Sequence, residues 1–176
     1  FKERDAGDHD RSATLALAAI AGQLGTLERL RRISVADAQT VLARIVVRDR
    51  HAAVAGLLAR EIVFEAVPER LDAKEAALTW TVAPRNEATI LASTTSTFLV
   101  TALQDLMPSE SDAARLLNTH WLNPAHLMPL IEVSRSARNA SEPVERVMAL
   151  LRAIGKVPVV CAPSPGFIVP RIQAQA

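Results

Sequence analysis

His120-Trp121-Leu122-Asn123-Pro124-Ala125-His126-Leu127-Met128-Pro129-Leu130-Ile131-Glu132 is the stretch that decides how this chain folds. Leu116-Leu117-Asn118-Thr119 leads into it and ends on a histidine, and a second apolar run, Pro129-Leu130-Ile131-Glu132-Val133, holds a carboxylate. Pro124 and Pro129 break any helix between the two runs, because proline lacks a backbone donor and its ring clashes with the preceding turn. Strand, irregular turn, strand is therefore expected, with His120 facing Glu132 across the turn. A half-buried imidazole beside a carboxylate is a general-base arrangement: the carboxylate fixes the tautomer and stabilises the imidazolium.

The rest of the chain alternates helices with strands. Leu15, Leu17, Ala18, Leu24, Leu27 and Leu30 recur at helical spacing and predict one long helix over 11–32, weakened at Gly22 and Gly25. Ser34, with Asp37 three residues on, is a capping-box-like start for a second helix reaching Leu42. Ile45-Val46-Val47 is short and β-branched and is expected as a strand, followed by a brief helix over 52–58. The near-continuous apolar run 62–67 reads as a buried parallel strand. A helix over 69–82, a strand over 89–93 and a helix over 99–106 follow. Beyond the central pair of strands come an amphipathic helix over 139–154 with Gly155 as its C-cap, a strand over 157–161, and a final apolar helix opened by Pro165-Gly166. This order predicts an α/β fold with a largely parallel sheet.

Composition excludes several classes. At 49% hydrophobic and 22% charged, the 176 residues have ample core material for one domain or a large piece of one. A net charge of +1 predicts no nucleic-acid and no membrane partner. No apolar run approaches the ~18 residues of a membrane span. The single cysteine, Cys161, allows no internal disulfide and points to a reducing, cytoplasmic setting. Its apolar run, Val157-Pro158-Val159-Val160, predicts a buried structural thiol rather than a nucleophile. Four histidines with one cysteine give no metal-ligand spacing, so no metal is expected. His9 and His51 lie in polar segments and are expected to be solvated, and His126 has no matching carboxylate and is expected at the surface. Trp121 is expected to pack rather than stack on a ligand. The first residues, Phe-Lys-Glu-Arg-Asp, are no signal peptide and lack an initial Met, so an incomplete chain is expected.

In open parallel sheets, ligands bind beyond the carboxyl ends of the strands. Three stretches fall at such ends: Glu65-Ala66-Val67-Pro68-Glu69 with Lys74 beyond it, the hydroxyl-rich Ala92-Ser93-Thr94-Thr95-Ser96-Thr97, and His120-Trp121-Leu122-Asn123-Pro124. Singly, a hydroxyl-rich turn is an N-cap and a glutamate after a strand caps the next helix; together they are more informative.

With Leu130-Ile131-Glu132-Val133, Gly155-Lys156-Val157-Pro158-Val159 and Ser164-Pro165-Gly166-Phe167-Ile168-Val169, those stretches make six motifs in an order that resembles the NAD-dependent L-3-hydroxyacyl-CoA dehydrogenases, including 3-hydroxybutyryl-CoA dehydrogenases. The resemblance covers roughly residues 60–176. It implies an incomplete Rossmann-type doubly wound sheet, with a partial NAD-binding domain over 1–163 and the start of a helical C-terminal substrate and dimerisation domain over 164–176. It further implies NAD as cofactor, a short-chain acyl-CoA substrate and a homodimeric full-length protein. By the same resemblance His120 is the catalytic base and Glu132 its orienting carboxylate. Ser96 bonds the reacting oxygen near the nicotinamide, Asn123 lies on the cofactor side, and Glu69 and Lys74 line the NAD site.

Thr94 and Pro170 depart from the pattern, standing where many members carry asparagine, and Met128-Pro129 is a milder variation. The change at Pro170 touches substrate preference more than reaction type. L-carnitine dehydrogenases, which are close relatives of the family, therefore stay as an alternative. So does a non-catalytic truncated relative. The family's Gly-x-Gly-x-x-Gly phosphate loop is not among the six glycines, so the chain is expected to be a fragment that is incompetent alone, with an exposed apolar edge on the strand at Ile62.

Overall fold

Period-two alternation along short strands decides how the sheet is covered. Ile90, Leu117, Ile131 and Val133 point to one face, while Leu91 and Leu116 point to the other. Both faces are therefore apolar, and each needs helices over it. The computed structural model describes residues 9–48, 61–83 and 88–175. The chain divides into two compact units, Phe1–Ala53 and Val54–Ala176.

The first unit contains α1 (His9–Arg29) and α2 (Val35–Ala43). Ser34 caps α2 as expected: its Oγ accepts from the Asp37 N–H at 3.1 Å, and the Asp37 carboxylate accepts from the Ser34 N–H at 3.2 Å. The strand expected at Ile45-Val46-Val47 does not form, and 45–48 have no regular structure. Ile45 donates its N–H to the Leu42 carbonyl at 3.1 Å, finishing the last turn of α2. A three-residue β-branched run becomes a strand only beside a partner, and none of the described strands pairs with it. The helix expected over 52–58 and His51 lie outside the described residues.

The second unit is a sheet in the order β1-β2-β3-β4-β5. Its strands are β1 (Ile62–Glu65), β2 (Ile90–Ser93), β3 (Leu116–Trp121), β4 (Leu130–Ser134) and β5 (Val157–Cys161). β1–β2, β2–β3 and β4–β5 are parallel; β3–β4 is antiparallel, with His120 opposite Glu132. The α/β class expected from the sequence is observed, and the sheet is mixed. α3 (Leu71–Val82) and α4 (Val100–Gln104) cover one face through Leu78 and Leu103. On the other face α6 (Ser141–Ala153) packs through Val144, Val147, Met148 and Leu151. Gly155 follows α6 with φ +79°, a left-handed conformation that costs glycine nothing.

Two local details differ from expectation. A short helix, α5 (Glu110–Ala113), forms behind Ser109, whose side chain accepts from the Asp112 N–H. The last helix, α7 (Val169–Gln173), opens later than Pro165-Gly166, because Gly166 and Phe167 take left-handed angles of +73° and +48°. None of the described helices is long and apolar enough to cross a membrane.

Because β1, β2 and β3 run in the same direction, the segments that follow them, 66–70, 94–99 and 122–129, emerge at one edge of the sheet. Leu151, fully buried between α6 and the sheet, is a sensitive test of this packing. Leu151→Ala is expected to lower unfolding stability by about 2–5 kcal/mol in urea titrations. Leu15→Ala, at an exposed position, is expected to change it by no more than about 0.5 kcal/mol.

Candidate active site

His120 and Glu132 are cross-strand partners on β3 and β4, and both point to the α3/α4 face of the sheet. The imidazole Nδ1 lies 2.6 Å from Glu132 Oε2, with His120 5% exposed and Glu132 fully buried. The other oxygen, Oε1, accepts the backbone N–H groups of Ile168 at 2.7 Å and Val169 at 2.8 Å. As a carboxylate Glu132 can only accept, so Nδ1 carries the proton and Nε2 is the nitrogen left for proton exchange. The Phe167 ring stacks on the imidazole, with centroids 4.5 Å apart and planes 14° apart.

A second polar cluster holds the ends of β1 and β2. Lys74, 1% exposed on the first turn of α3, lies 3.2 Å from both oxygens of Glu65 and 3.1 Å from Glu69 Oε2. Glu65 also accepts from the Val67 N–H at 2.7 Å and from the Ser93 hydroxyl at 2.5 Å. Glu69 does not cap the following helix, whose N-cap is Arg70 with no side-chain bond. Its Oε1 instead gathers the hydroxyl-rich loop: the Thr95 hydroxyl, the Ser96 and Thr97 N–H groups at 2.9 Å each, and the Thr97 hydroxyl at 2.7 Å. Burial raises the Glu69 carboxyl, but the Thr95 and Thr97 hydroxyls and the Lys74 ammonium outweigh it and hold the group at about 2.

The structure joins His120 to Glu132, and Glu69 to Lys74 and to the backbone of Ser96. The Ser96 side chain and Asn123 are exposed on the loops after β2 and β3, and among the described residues no hydrogen bond ties Asn123 to either cluster. Trp121 packs with Phe64 edge to face at 5.9 Å, as a structural tryptophan. Cys161 is half-buried, and burial together with the charge of Glu132 pushes its thiol up, the wrong direction for a nucleophile. His126 is half-buried rather than fully at the surface. No group of three or more metal-ligating side chains occurs among the described residues.

Several residues with a part in this geometry were not singled out from the sequence. Glu65, Ser93, Asn118 and Ser134 form one cross-strand row of buried polar groups on the face that carries His120. The signal available was a charged or polar residue closing an otherwise apolar strand. Asn118 donates to the Phe98 carbonyl at 2.8 Å, and its Oδ1 is the buried side-chain atom without a partner among the described residues. Lys156 donates to the carbonyls of Ala125 at 2.6 Å and Met128 at 2.8 Å, pinning the β3–β4 connection, and lies 5.8 Å over the Trp121 ring. Carbonyl acceptors leave no trace in a side-chain pattern.

The α/β sheet is Rossmann-like, and the buried histidine–carboxylate pair lies beside the carboxyl ends of its parallel strands. The family model described as 3-hydroxyacyl-CoA dehydrogenase, NAD binding domain, matches residues 6–164, and the chain belongs to that family. Among curated proteins it is similar to the fatty acid oxidation complex subunit alpha of Acinetobacter baylyi, 38% identical over 112 residues, a match spanning 64% of this chain and 15% of that protein. Among solved structures it is similar to (S)-3-hydroxybutyryl-CoA dehydrogenase from Ralstonia eutropha, at 31% identity and TM-score 0.79 over 97% of this chain and 56% of that one. A 3-hydroxybutyryl-CoA dehydrogenase from Escherichia coli K12 gives the same identity and TM-score over 90% of this chain and 32% of that one.

Removing the cation leaves the buried Glu65 carboxylate without its counter-charge, so Lys74→Met is expected to destabilise the second unit by about 3–5 kcal/mol in denaturant titrations. Glu69 has a folded value of about 2 against its ordinary 4.5, so its contribution is present above pH 4.5 and lost as pH falls toward 2. Acid unfolding followed by circular dichroism is expected to be less steep across that window in Glu69→Gln than in the parent protein.

Proposed function

We propose that the protein to which this chain belongs oxidises the C3 hydroxyl of a short-chain L-3-hydroxyacyl-CoA with NAD, using His120 as general base. The observation that carries this is the 2.6 Å contact between the His120 imidazole and a fully buried carboxylate. In that role Nε2 takes the hydroxyl proton while the positive charge spreads toward Nδ1. There the Nδ1–H to Glu132 bond stabilises it without the proton leaving the ring. Glu132 is held against rotation by the Ile168 and Val169 N–H groups.

The residues present suit the nicotinamide end of the cofactor. Ser96 and Asn123 are exposed groups that both donate and accept, matching a carboxamide and ribose hydroxyls. Glu69 and Lys74 line that end indirectly, by shaping the loop that carries Ser96. When bound, NAD supplies the hydride acceptor. Ser96 also bonds the substrate oxygen in this reading. The sequence contains no Gly-x-Gly-x-x-Gly turn for the pyrophosphate. Residues 1–176 by themselves are therefore expected to bind NAD too weakly for calorimetry at micromolar concentration; a micromolar isotherm would refute this. The assignment of 164–176 to a C-terminal substrate and dimerisation domain, the homodimer and the cytoplasmic setting belong to the same proposal.

In the full-length enzyme, His120→Gln is expected to lower NADH formation by ~10²–10⁴-fold, and a loss below tenfold would remove the general-base role. Glu132→Gln is expected to depress the same step. Pro170, in the first turn of α7, has no side-chain amide, which favours testing L-carnitine as a second substrate. Parallel assays with 3-hydroxybutyryl-CoA and L-carnitine separate the two readings, and turnover of neither favours a non-catalytic relative.

A further inference from the structure

Ser164-Pro165-Gly166-Phe167-Ile168-Val169 links β5 to α7, and its backbone takes an uncommon route. Gly166 and then Phe167 adopt left-handed angles of +73° and +48°. The second is unfavourable for a bulky residue and persists only where its surroundings hold it. The Phe167 N–H closes the turn on the Ser164 carbonyl at 3.1 Å. This route has two consequences, and both fall on one pair of side chains. It lays the buried Phe167 ring flat on the His120 imidazole, and it aims two successive N–H groups at Glu132 Oε1.

We propose that this turn is the positioning element of the His120–Glu132 pair, with Phe167 clamping the imidazole plane and the Ile168 and Val169 N–H groups fixing the carboxylate that meets it. An imidazole held only through Nδ1 can swing about its ring bond, and a carboxylate held at one oxygen can rotate. The stacked ring stops the first motion and the paired N–H groups stop the second. The ring also covers one face of the imidazole, and in this buried setting a hydrogen bond shielded from water is stronger. Phe167 is thus a positioning residue. Its effect on turnover rests on His120 being the base, whereas the geometry it maintains does not.

Histidine-selective ¹⁵N labelling of the full-length protein tests this, with the spectrum of His120→Gln identifying the resonance. In the parent protein a strongly downfield Nδ1 proton is expected, and the Ile168 and Val169 amides should exchange at least about tenfold more slowly than those of an open turn. Phe167→Leu keeps most of the volume but not the flat ring. It is expected to broaden or lose the Nδ1 proton and to lower kcat by about 10- to 100-fold, with KM within about threefold. Phe167→Tyr, which retains the ring, is expected to restore both. Gly166→Ala, whose added Cβ would stand 3.1 Å from Arg171 Cγ at a positive φ, is expected to release both amides. Free exchange of Ile168 and Val169 in the folded parent protein would overturn the proposal without recourse to any variant. So would a Phe167→Leu protein with an unchanged Nδ1 proton and kcat. If His120→Gln leaves turnover intact, the base assignment fails, while the resonance and the amide exchange still decide the role of the turn.

Discussion

A carboxylate with no exposed surface tolerates its burial only when each of its oxygens meets a donor, since an unpaired buried charge costs several kcal/mol. Glu132 meets that condition through three donors from two distant stretches of chain: the His120 imidazole, and the Ile168 and Val169 amides. The antiparallel register of β3 and β4 is what sets His120 opposite it. A slip of one residue would turn Glu132 into the apolar cluster occupied by Ile131 and Val133 and leave it uncompensated. Hairpin register, sheet pairing and the turn after β5 therefore have to be correct together. Lys156, immediately before β5, supports the same register by holding the carbonyls of the connecting loop.

The neighbouring strands obey a related constraint. On the α3/α4 face, Val63, Leu91 and Leu116 lie in an apolar cluster, and two residues further along each strand Glu65, Ser93 and Asn118 form a polar row. Their burial is tolerable because Lys74 enters from α3 and neutralises Glu65 while reaching Glu69. Glu69 in turn organises the loop after β2, so the exposed Ser96 is set in place by a charge network two strands wide. Polarity is thus concentrated at the carboxyl ends of the parallel strands.

Much of this was legible from local pattern. Alternating runs of apolar residues located all five strands of the sheet, the capping box at Ser34 located α2, and the prolines at 124 and 129 made the β3–β4 connection irregular. The same pattern failed at Ile45-Val46-Val47, because β-branched residues describe a strand's preference and not the partner it needs. Local pattern also offers a glutamate after a strand only the general role of a helix cap, whereas the Glu69 carboxylate accepts from donors across the sheet edge at Thr95, Ser96 and Thr97.

By itself the amino-acid order determined the succession of the five sheet strands, the opposition of His120 and Glu132, and the motifs by which the chain resembles its family, all properties of residues close together or of a fixed strand period. Only the tertiary structure decided that Lys74 is a buried counter-charge rather than a solvated one, that Lys156 binds carbonyls, and that Phe167 and two backbone amides meet the His120–Glu132 pair. Those roles come from backbone groups and from side chains far apart along the chain. Only folding brings such groups within hydrogen-bonding reach, so no short-range pattern records them.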